Sequence, residues 1–184
     1  MEAIKVRDLM VPLAQYVCVS EGATLSEAVI ELEEAQAKAV STGYPHRAVL
    51  VCDEAGNVIG KLSQLDVLRS LEPRYSEVTD LKKVSGFGLS AEFMRTMMQE
   101  YDLWKAPLED LCRKAAQVRL GSIVSAPLEG EIVEADATLD KAVHQMIMGH
   151  HQSLLVISGE RIVGILRLSD VYKEVSSRIK ACKI

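Results

Sequence analysis

The chain has 184 residues, a length that suits one domain or two small subdomains that share a core. Its composition, with 48% hydrophobic and 26% charged residues, is that of an ordinary globular protein. A net charge of -5 argues against sequence-independent nucleic-acid binding, and no apolar run is long enough to span a membrane.

The N-terminus and the cysteines bear on the cellular compartment. The start at 1–5 lacks the charged and apolar regions of a signal peptide. The four cysteines are scattered and form no C-x-x-C pair, so we expect no zinc site. Cys18 and Cys52 lie in apolar, strand-like runs, where we expect reduced cysteines that pack as small hydrophobic side chains. The sequence therefore predicts a cytoplasmic protein without a bound metal.

The first half of the chain predicts the order strand, helix, strand, strand, helix. After a short β-prone run at 16–19, Thr24-Leu25-Ser26-Glu27 has the form of a capping box that starts a helix. The run at 47–52 is almost continuously apolar, which predicts a strand that is buried on both faces. A turn then leads to a strand at 58–62, and a helix begins near Ser63.

The second half repeats this order. Residues 137–143 align with 23–29, and the strand and helix start at 162–172 align with those at 58–68. The first copy is ten residues longer, most simply near 35–45, which predicts a longer first helix and loop. In each copy the last strand leads directly into the N-terminus of a helix. The unpaired backbone N–H groups and the positive end of the helix dipole at such a terminus favour an anion.

A segment with no counterpart lies between the copies and predicts two helices. The first follows Ser90 and has an apolar stripe formed by Phe93, Met94, Met97, Met98 and Tyr101. The second starts with Pro107 and has an apolar side formed by Leu108, Leu111, Cys112 and Ala115. Such stripes either pack against their own protein or form a partner or dimer surface. The predicted organisation is a first repeat at 1–71, a helical insert at 72–119 and a second repeat at 120–184.

Together the two copies resemble a tandem pair of CBS domains, also called a Bateman module. The resemblance rests on Asp8-Leu9-Met10, the capping-box run that continues to Ala28, and the stretches 47–53 and 58–66, with counterparts between 122 and 170. It implies an α+β fold of two β-α-β-β-α units, related by a pseudo-twofold axis and packed through their sheets. It also implies a homodimer, because such modules commonly pair into a flat disc.

The resemblance also implies ligand sites, since many relatives bind AMP, ADP, ATP or S-adenosylmethionine in clefts between the units. Ser63 and Asp66 fit the family pattern for the ribose and phosphate, while Lys61 either adds phosphate affinity or reaches solvent. In the second copy Asp170 is kept, but Arg167 replaces the serine or threonine and either forks onto a phosphate or fills the cleft. The other candidate ligand-binding residues lie before or on the strands: Cys18, His46, Arg47, Ala48, His151, Gln152 and Ser153.

Both aspartates have an alternative role as charges that stabilise the first turn of a helix. We found no G-x-S-x-G, Walker or H-E-x-x-H pattern, so we expect neither an enzyme nor a catalytic cofactor.

We expect a regulatory sensor that binds an adenosine derivative and signals to a protein effector, without nucleic acid or membrane. The alternative is a ligand-free dimerisation or protein-interaction module. An enzyme that uses the insert to act on a nucleotide is a third hypothesis.

Overall fold

The computed structural model describes residues 4–39, 47–72, 74, 91–105 and 107–182, where the chain forms seven strands and six α-helices. The strands are β1 (Val11–Pro12), β2 (Cys18–Ser20), β3 (Ala48–Cys52), β4 (Val58–Ser63), β5 (Ile132–Glu134), β6 (Ser153–Ser158) and β7 (Arg161–Arg167). The helices are α1 (Leu25–Ala39), α2 (Gln64–Leu71), α3 (Ala91–Glu100), α4 (Leu108–Gln117), α5 (Leu139–Gly149) and α6 (Leu168–Ala181). None of the helices in these ranges has the length and apolar character to cross a bilayer.

The predicted repeat is confirmed in both halves. In the first, β2 is parallel to β3 and β3 is antiparallel to β4; in the second, β5, β6 and β7 pair in the same way. A parallel pair needs a crossover connection, which α1 and α5 supply. Helix α1 has 15 residues against 11 for α5, as the longer first copy predicts. The halves are therefore two β-α-β-β-α units of mixed α and β structure.

Local sequence explains where two of the helices begin. The Thr24 backbone N–H donates to Glu27 Oε2 at 2.7 Å, and the Glu27 N–H donates to Thr24 Oγ1 at 3.2 Å. At the start of α2, Ser63 and Asp66 form the same reciprocal pair, at 2.9 and 3.3 Å. Each box satisfies two N–H groups that the first helical turn leaves without a partner. The predicted capping roles of Thr24 and Ser63 are confirmed.

The units pack through their sheets, as predicted. The contact is a cluster of fully or nearly fully buried side chains: Tyr16 and Leu50 from the first half, and Leu155 and Ile165 from the second. Strand β3 is buried from Ala48 to Val51, which explains its continuous apolar sequence.

Each half also completes the core of the other. Val6 is fully buried in the second-half core, and its N–H donates to Ala137 O at 3.0 Å. Leu120 is fully buried in the first-half core, and its N–H donates to Ala23 O at 2.9 Å. Burying such side chains stabilises a fold by about 1.5–3 kcal/mol each. The segments that open each repeat in sequence therefore pack on the opposite half.

Two glycines make room for the segments that open each repeat and pack on the opposite half. Strand β1 pairs with β7, and a Cβ added at Gly164 would lie 2.5 Å from the Val11 carbonyl oxygen. A Cβ at Gly60 would lie 2.6 Å from Val124 Cγ1. The glycine in each copy of the repeat is therefore needed because a crossing segment passes against it.

Helix α4 packs on the first half. It contacts α1 and α2, and Ala115 lies against the first-half core. Pro107 is the N-cap and not the first helical residue as predicted, because its extended ψ of 153° places it outside the helix. Cys112, from the predicted apolar side, is exposed.

Helix α3 lies between the two halves in sequence. Met97, from the predicted stripe, is buried. The side chains of Phe93, Met94 and Met98, together with residues 75–90, lie outside the described part of the chain. The helical insert as a whole therefore stays a prediction.

Glu72 anchors the segment between the halves. Its carboxylate accepts bonds from Arg74 Nε and Nη2 at 2.7 and 2.6 Å, and from the Trp104 N–H at 3.1 Å. Arg74 also donates to Tyr101 O at 2.6 Å. The bonds from Arg74 lower the pKa of Glu72 to about 2, although burial opposes them. The end of α2 is thus tied to the turn that follows α3.

The expectation of reduced cysteines at 18 and 52 is wrong, because Cys18 and Cys52 form a disulfide. The parallel register of β2 and β3 brings their Cα atoms to 6.1 Å, within the range for a disulfide. Sequence alone could not place the two strands side by side in this register. Cys112 and Cys182 are free and exposed.

We predict that Gly164→Ala lowers the free energy of unfolding by about 1–3 kcal/mol, because backbone at Val11 cannot easily move away from a new methyl group. Urea unfolding measures this. Gly22→Ala is the matched control, since its added Cβ would meet only Ser20 Oγ at an ordinary 3.6 Å. Equal midpoints for the two variants would show that the crossing segment does not require the glycine.

We also predict a pH-dependent effect of Glu72→Gln. The folded-state pKa of Glu72 is depressed, so its contribution to stability is present above the unfolded-state pKa, near 4.5, and is lost as the pH falls toward about 2. The stability difference between wild type and variant should therefore shrink between about pH 6 and about pH 3 in urea titrations. Exposed Glu54→Gln is the control and should show no such change. A constant difference for Glu72→Gln would contradict the ion pair.

Candidate functional site

A cavity of about 400 Å³ lies where the two sheets meet. The first half contributes Tyr16, Arg47, Ala48 and Ser63 to its lining. The second half contributes Gln152, Ser153, Arg167, Leu168, Ser169 and Tyr172. The cavity is therefore shared between the two units of the repeat.

The repeat explains why these residues meet. Ala48 pairs with Ser63 across β3 and β4, and Ser153 pairs with Arg167 across β6 and β7, at equivalent positions in the two sheets. Both pairs lie where a strand gives way to a helix. Because the sheets pack face to face, these two ends come together at one place. Arg47 Nη1 donates to Gln152 Oε1 at 3.2 Å, a hydrogen bond that joins the halves beside the cavity.

The cavity favours an anion. Arg47 and Arg167 line it, and none of the lining residues named above carries a carboxylate. Leu168 and Ser169, the first two residues of the 14-residue helix α6, also line it. The N-cap residue Arg167 makes no side-chain capping bond, in contrast to Ser63 at α2. The positive end of the α6 dipole is therefore directed to the cavity wall.

Arg167 forms a bidentate ion pair with Asp170. Its Nε and Nη2 donate to the two carboxylate oxygens at 2.5 and 2.8 Å, and the side chains are only 15% and 16% exposed. The hydrogen bonds to Asp170 raise the pKa of Arg167, so the guanidinium stays charged. Burial raises the pKa of neighbouring Tyr16 to about 12, so its hydroxyl stays neutral. Asp170 itself does not line the cavity.

Asp66 takes a different arrangement from Asp170. Its Oδ2 accepts from the Ser63 N–H at 2.9 Å and from Ser63 Oγ at 2.6 Å, and its side chain is 39% exposed. Arg69 Nη1 lies 3.8 Å from Oδ1. Asp66 thus has the capping role, and it does not line the cavity. Its contact with a nucleotide stays a prediction.

Lys61, expected either to add phosphate affinity or to reach solvent, is mostly shielded from solvent and bonds to the second half. Its Nζ donates to Ser153 O at 2.8 Å and lies 3.5 Å from Glu131 Oε1, and its side chain is 14% exposed. Burial lowers the pKa of Lys61, and Glu131 opposes this shift. Lys61 is therefore a half-buried cation that connects the first half to the second. Sequence reasoning did not identify this role, because Glu131 lies far away along the chain.

The remaining candidates are dispersed. Cys18 is held in the disulfide. The backbone N–H of His151 donates to Met146 O at 2.9 Å. Neither residue lines the cavity. His46 lies outside the described residues. Among the residues that the structure describes, no three His, Cys, Asp or Glu side chains are grouped so that they can hold a metal ion.

The cavity thus unites some candidates with residues that the sequence did not indicate. The predicted candidates that line it are Arg47, Ala48, Ser63, Gln152, Ser153 and Arg167. The others are Tyr16, Leu168, Ser169 and Tyr172. The helix start at 168–169 could have been found from its place directly after Arg167. Nothing in the sequence indicated Tyr16, whose position depends on the packing of the sheets.

A profile of the CBS domain family matches residues 6–73 and 120–177. No curated protein matches this chain at a significant level.

Several solved structures are similar to the chain. The CBS-pair protein CBSX2 from Arabidopsis thaliana has a TM-score of 0.59 at 16% identity, covering 97% of this chain and 98% of that chain. CBSX2 in complex with AMP has a TM-score of 0.56 at 16% identity, with coverage of 94% and 97%. The CBS domain of a CBS domain containing membrane protein from Sphaerobacter thermophilus has a TM-score of 0.57 at 19% identity, with coverage of 93% and 87%.

At these identities the solved structures establish the fold, and the family profile accounts for more than half of the chain. The two matched regions coincide with the two β-α-β-β-α units that the sequence repeat predicts. The chain therefore belongs to the CBS domain family and is a tandem CBS pair.

Proposed function

We propose that this protein is a regulatory module that binds an adenosine phosphate in the cavity between its two CBS domains and signals to a protein effector. The observation that carries the proposal is the lining of the cavity. Both halves contribute to it, it contains two arginines, and it receives the N-terminus of α6. A ligand with a phosphate and an aromatic base fits this mixture of cationic, hydroxyl and aromatic groups.

The AMP complex of CBSX2 supports this choice of ligand class. That protein shares the fold of this chain at low identity, so its ligand is a guide to chemistry and not to contacts. Among the expected ligands AMP, ADP, ATP and S-adenosylmethionine, the two arginines favour the phosphates over the sulfonium cation. Asp66, in the equivalent junction of the first half, is proposed as a further nucleotide contact.

A shared cavity suits regulation. The Arg47–Gln152 hydrogen bond and the Lys61–Ser153 hydrogen bond both cross between the halves. A ligand that contacts both halves binds one relative arrangement of them better than another, which is the requirement for allosteric control. The lining residues named above include no histidine, cysteine or carboxylate, which supports binding more than catalysis.

A ligand-free interaction module is the second candidate. The observation that favours it is the ion pair of Arg167 with Asp170, which satisfies both groups within the protein. In that case the cavity would be a by-product of the way the two sheets meet.

Binding of AMP separates the two candidates. We expect AMP at a hundredfold excess over its Kd to stabilise the fold by about 2.7 kcal/mol, measured by thermal unfolding and calorimetry. Arg47→Gln should weaken AMP binding by about tenfold to a hundredfold, because a charged hydrogen-bonding group is lost. Arg161→Gln, at the opposite end of β7, is the matched control and should bind like wild type. Flat curves with AMP, ADP, ATP and S-adenosylmethionine would favour the ligand-free module.

A homodimer is the second part of the proposal. Leu168, Tyr172, Val175 and Ile179 form an exposed apolar stripe along α6, with exposures of 41%, 69%, 39% and 68%. Leu65 and Leu68 are exposed on α2, which occupies the equivalent place in the first half. A second copy fits this face because an isologous dimer brings the same two helices from each chain together.

We predict that the wild type is a dimer in sedimentation equilibrium and that Ile179→Glu shifts it to monomer, because the charge cannot be buried without a partner. Ile30→Glu is the control, since Ile30 is an equally apolar residue that is 53% exposed on α1. A monomeric wild type, or a variant that remains dimeric, would contradict the proposed interface.

A cytoplasmic location stays a prediction. The Cys18–Cys52 disulfide counts against it, because the cytosol keeps most thiols reduced.

A further inference from the structure

We propose that Arg167 selects ligands that carry a phosphate by exchanging partners, from the Asp170 carboxylate to the ligand phosphate. The inference rests on the proposed function and specifies the chemical class that the cavity accepts. It predicts that a neutral nucleoside binds far more weakly than its monophosphate.

The position of the pair makes the exchange possible. Arg167 lines the cavity, whereas Asp170 is not among the residues that line it. Both oxygens of Asp170 accept from the guanidinium, at 2.5 and 2.8 Å. A planar guanidinium binds a phosphate in the same forked geometry as a carboxylate. An anion in the cavity therefore competes with Asp170 for one and the same donor group.

The first half of the chain shows where Asp170 can go after the exchange. Asp66 occupies the equivalent position in α2, and its carboxylate accepts from the backbone N–H of the N-cap residue Ser63 at 2.9 Å. Arg167 is the N-cap of α6, the position that Ser63 has in α2. Asp170 is in the first turn of α6, where the helix dipole stabilises a negative charge. A capping arrangement like that of Asp66 thus replaces the ion pair.

Charge decides which ligands achieve the exchange. The ion pair is only 15–16% exposed, so separating it without a substitute leaves two poorly solvated charges. A phosphate supplies the substitute, and Arg47 and the α6 N-terminus stabilise it further. A nucleoside without phosphate offers no anion to Arg167 and leaves the pair in place.

Calorimetry with AMP and adenosine on the full chain tests the exchange through the ratio of their affinities. For wild type we expect the affinity for AMP to exceed that for adenosine by a factor of about a hundred or more, because the phosphate makes two charge-assisted contacts. Arg167→Gln should reduce the ratio to about tenfold or less, while Arg167→Lys, which keeps the charge but cannot fork, should give an intermediate ratio. Folding of each variant is checked by its thermal unfolding without ligand.

Asp170→Asn gives the decisive result, because it should change the ratio in the opposite direction. Without the carboxylate, AMP no longer has to displace a charged partner, so the ratio of AMP to adenosine affinity should rise above that of wild type. If Arg167 and Asp170 served only to hold the helix start, both substitutions would leave the ratio unchanged.

The outcomes separate the two proposals. If AMP and adenosine bind equally well and Arg167→Gln leaves their ratio unchanged, the exchange is wrong and the proposed function stands. If neither compound binds, the proposed function is wrong and the exchange is refuted with it.

Discussion

The fold depends on the reciprocal burial of Val6 and Leu120. Each side chain fills the core of the half to which it does not belong in sequence, and each is fully buried there. The short strand β1 continues this crossing and adds an edge to the second sheet. Because the two cores are completed in this way, the halves cannot separate without exposing both. The cavity between the sheets therefore has a fixed location even though it belongs to neither half.

The repeat made most of this architecture predictable. The capping boxes, the glycines and the buried run in β3 are local signals, and they specified the order of elements and the helix starts. The sequence could not show that residues 4–12 pack on the opposite half, because motif alignment assigns them to the copy that they precede. It could not pair Cys18 with Cys52 or place Lys61 beside Glu131 either, since both contacts depend on how strands and sheets sit side by side. The cavity was predictable to the extent that it lies at the two strand-to-helix junctions, while Tyr16 and Tyr172 enter it through tertiary packing.

The strand-to-helix junctions of the two halves share the same backbone arrangement but differ in their side chains. The first has Ser63, which caps its helix, and Lys61, which is fixed to the second half. The second has Arg167, which binds its own aspartate, and Ile165 in the place of the lysine. Asp66 and Asp170 occupy the same position in their helices. Asp66 accepts from the backbone N–H of Ser63, whereas Asp170 accepts from the guanidinium of Arg167. The two junctions therefore present different side chains, Ser63 and Arg167, to the cavity between the sheets.

The Cys18–Cys52 disulfide has no counterpart at the equivalent place in the second half. It links β2 to β3, the two strands that precede and follow α1. Ile132 and Ile157 occupy the equivalent positions in the second half, so no disulfide links β5 to β6 there. The first CBS domain is therefore covalently braced at a place where the second is not.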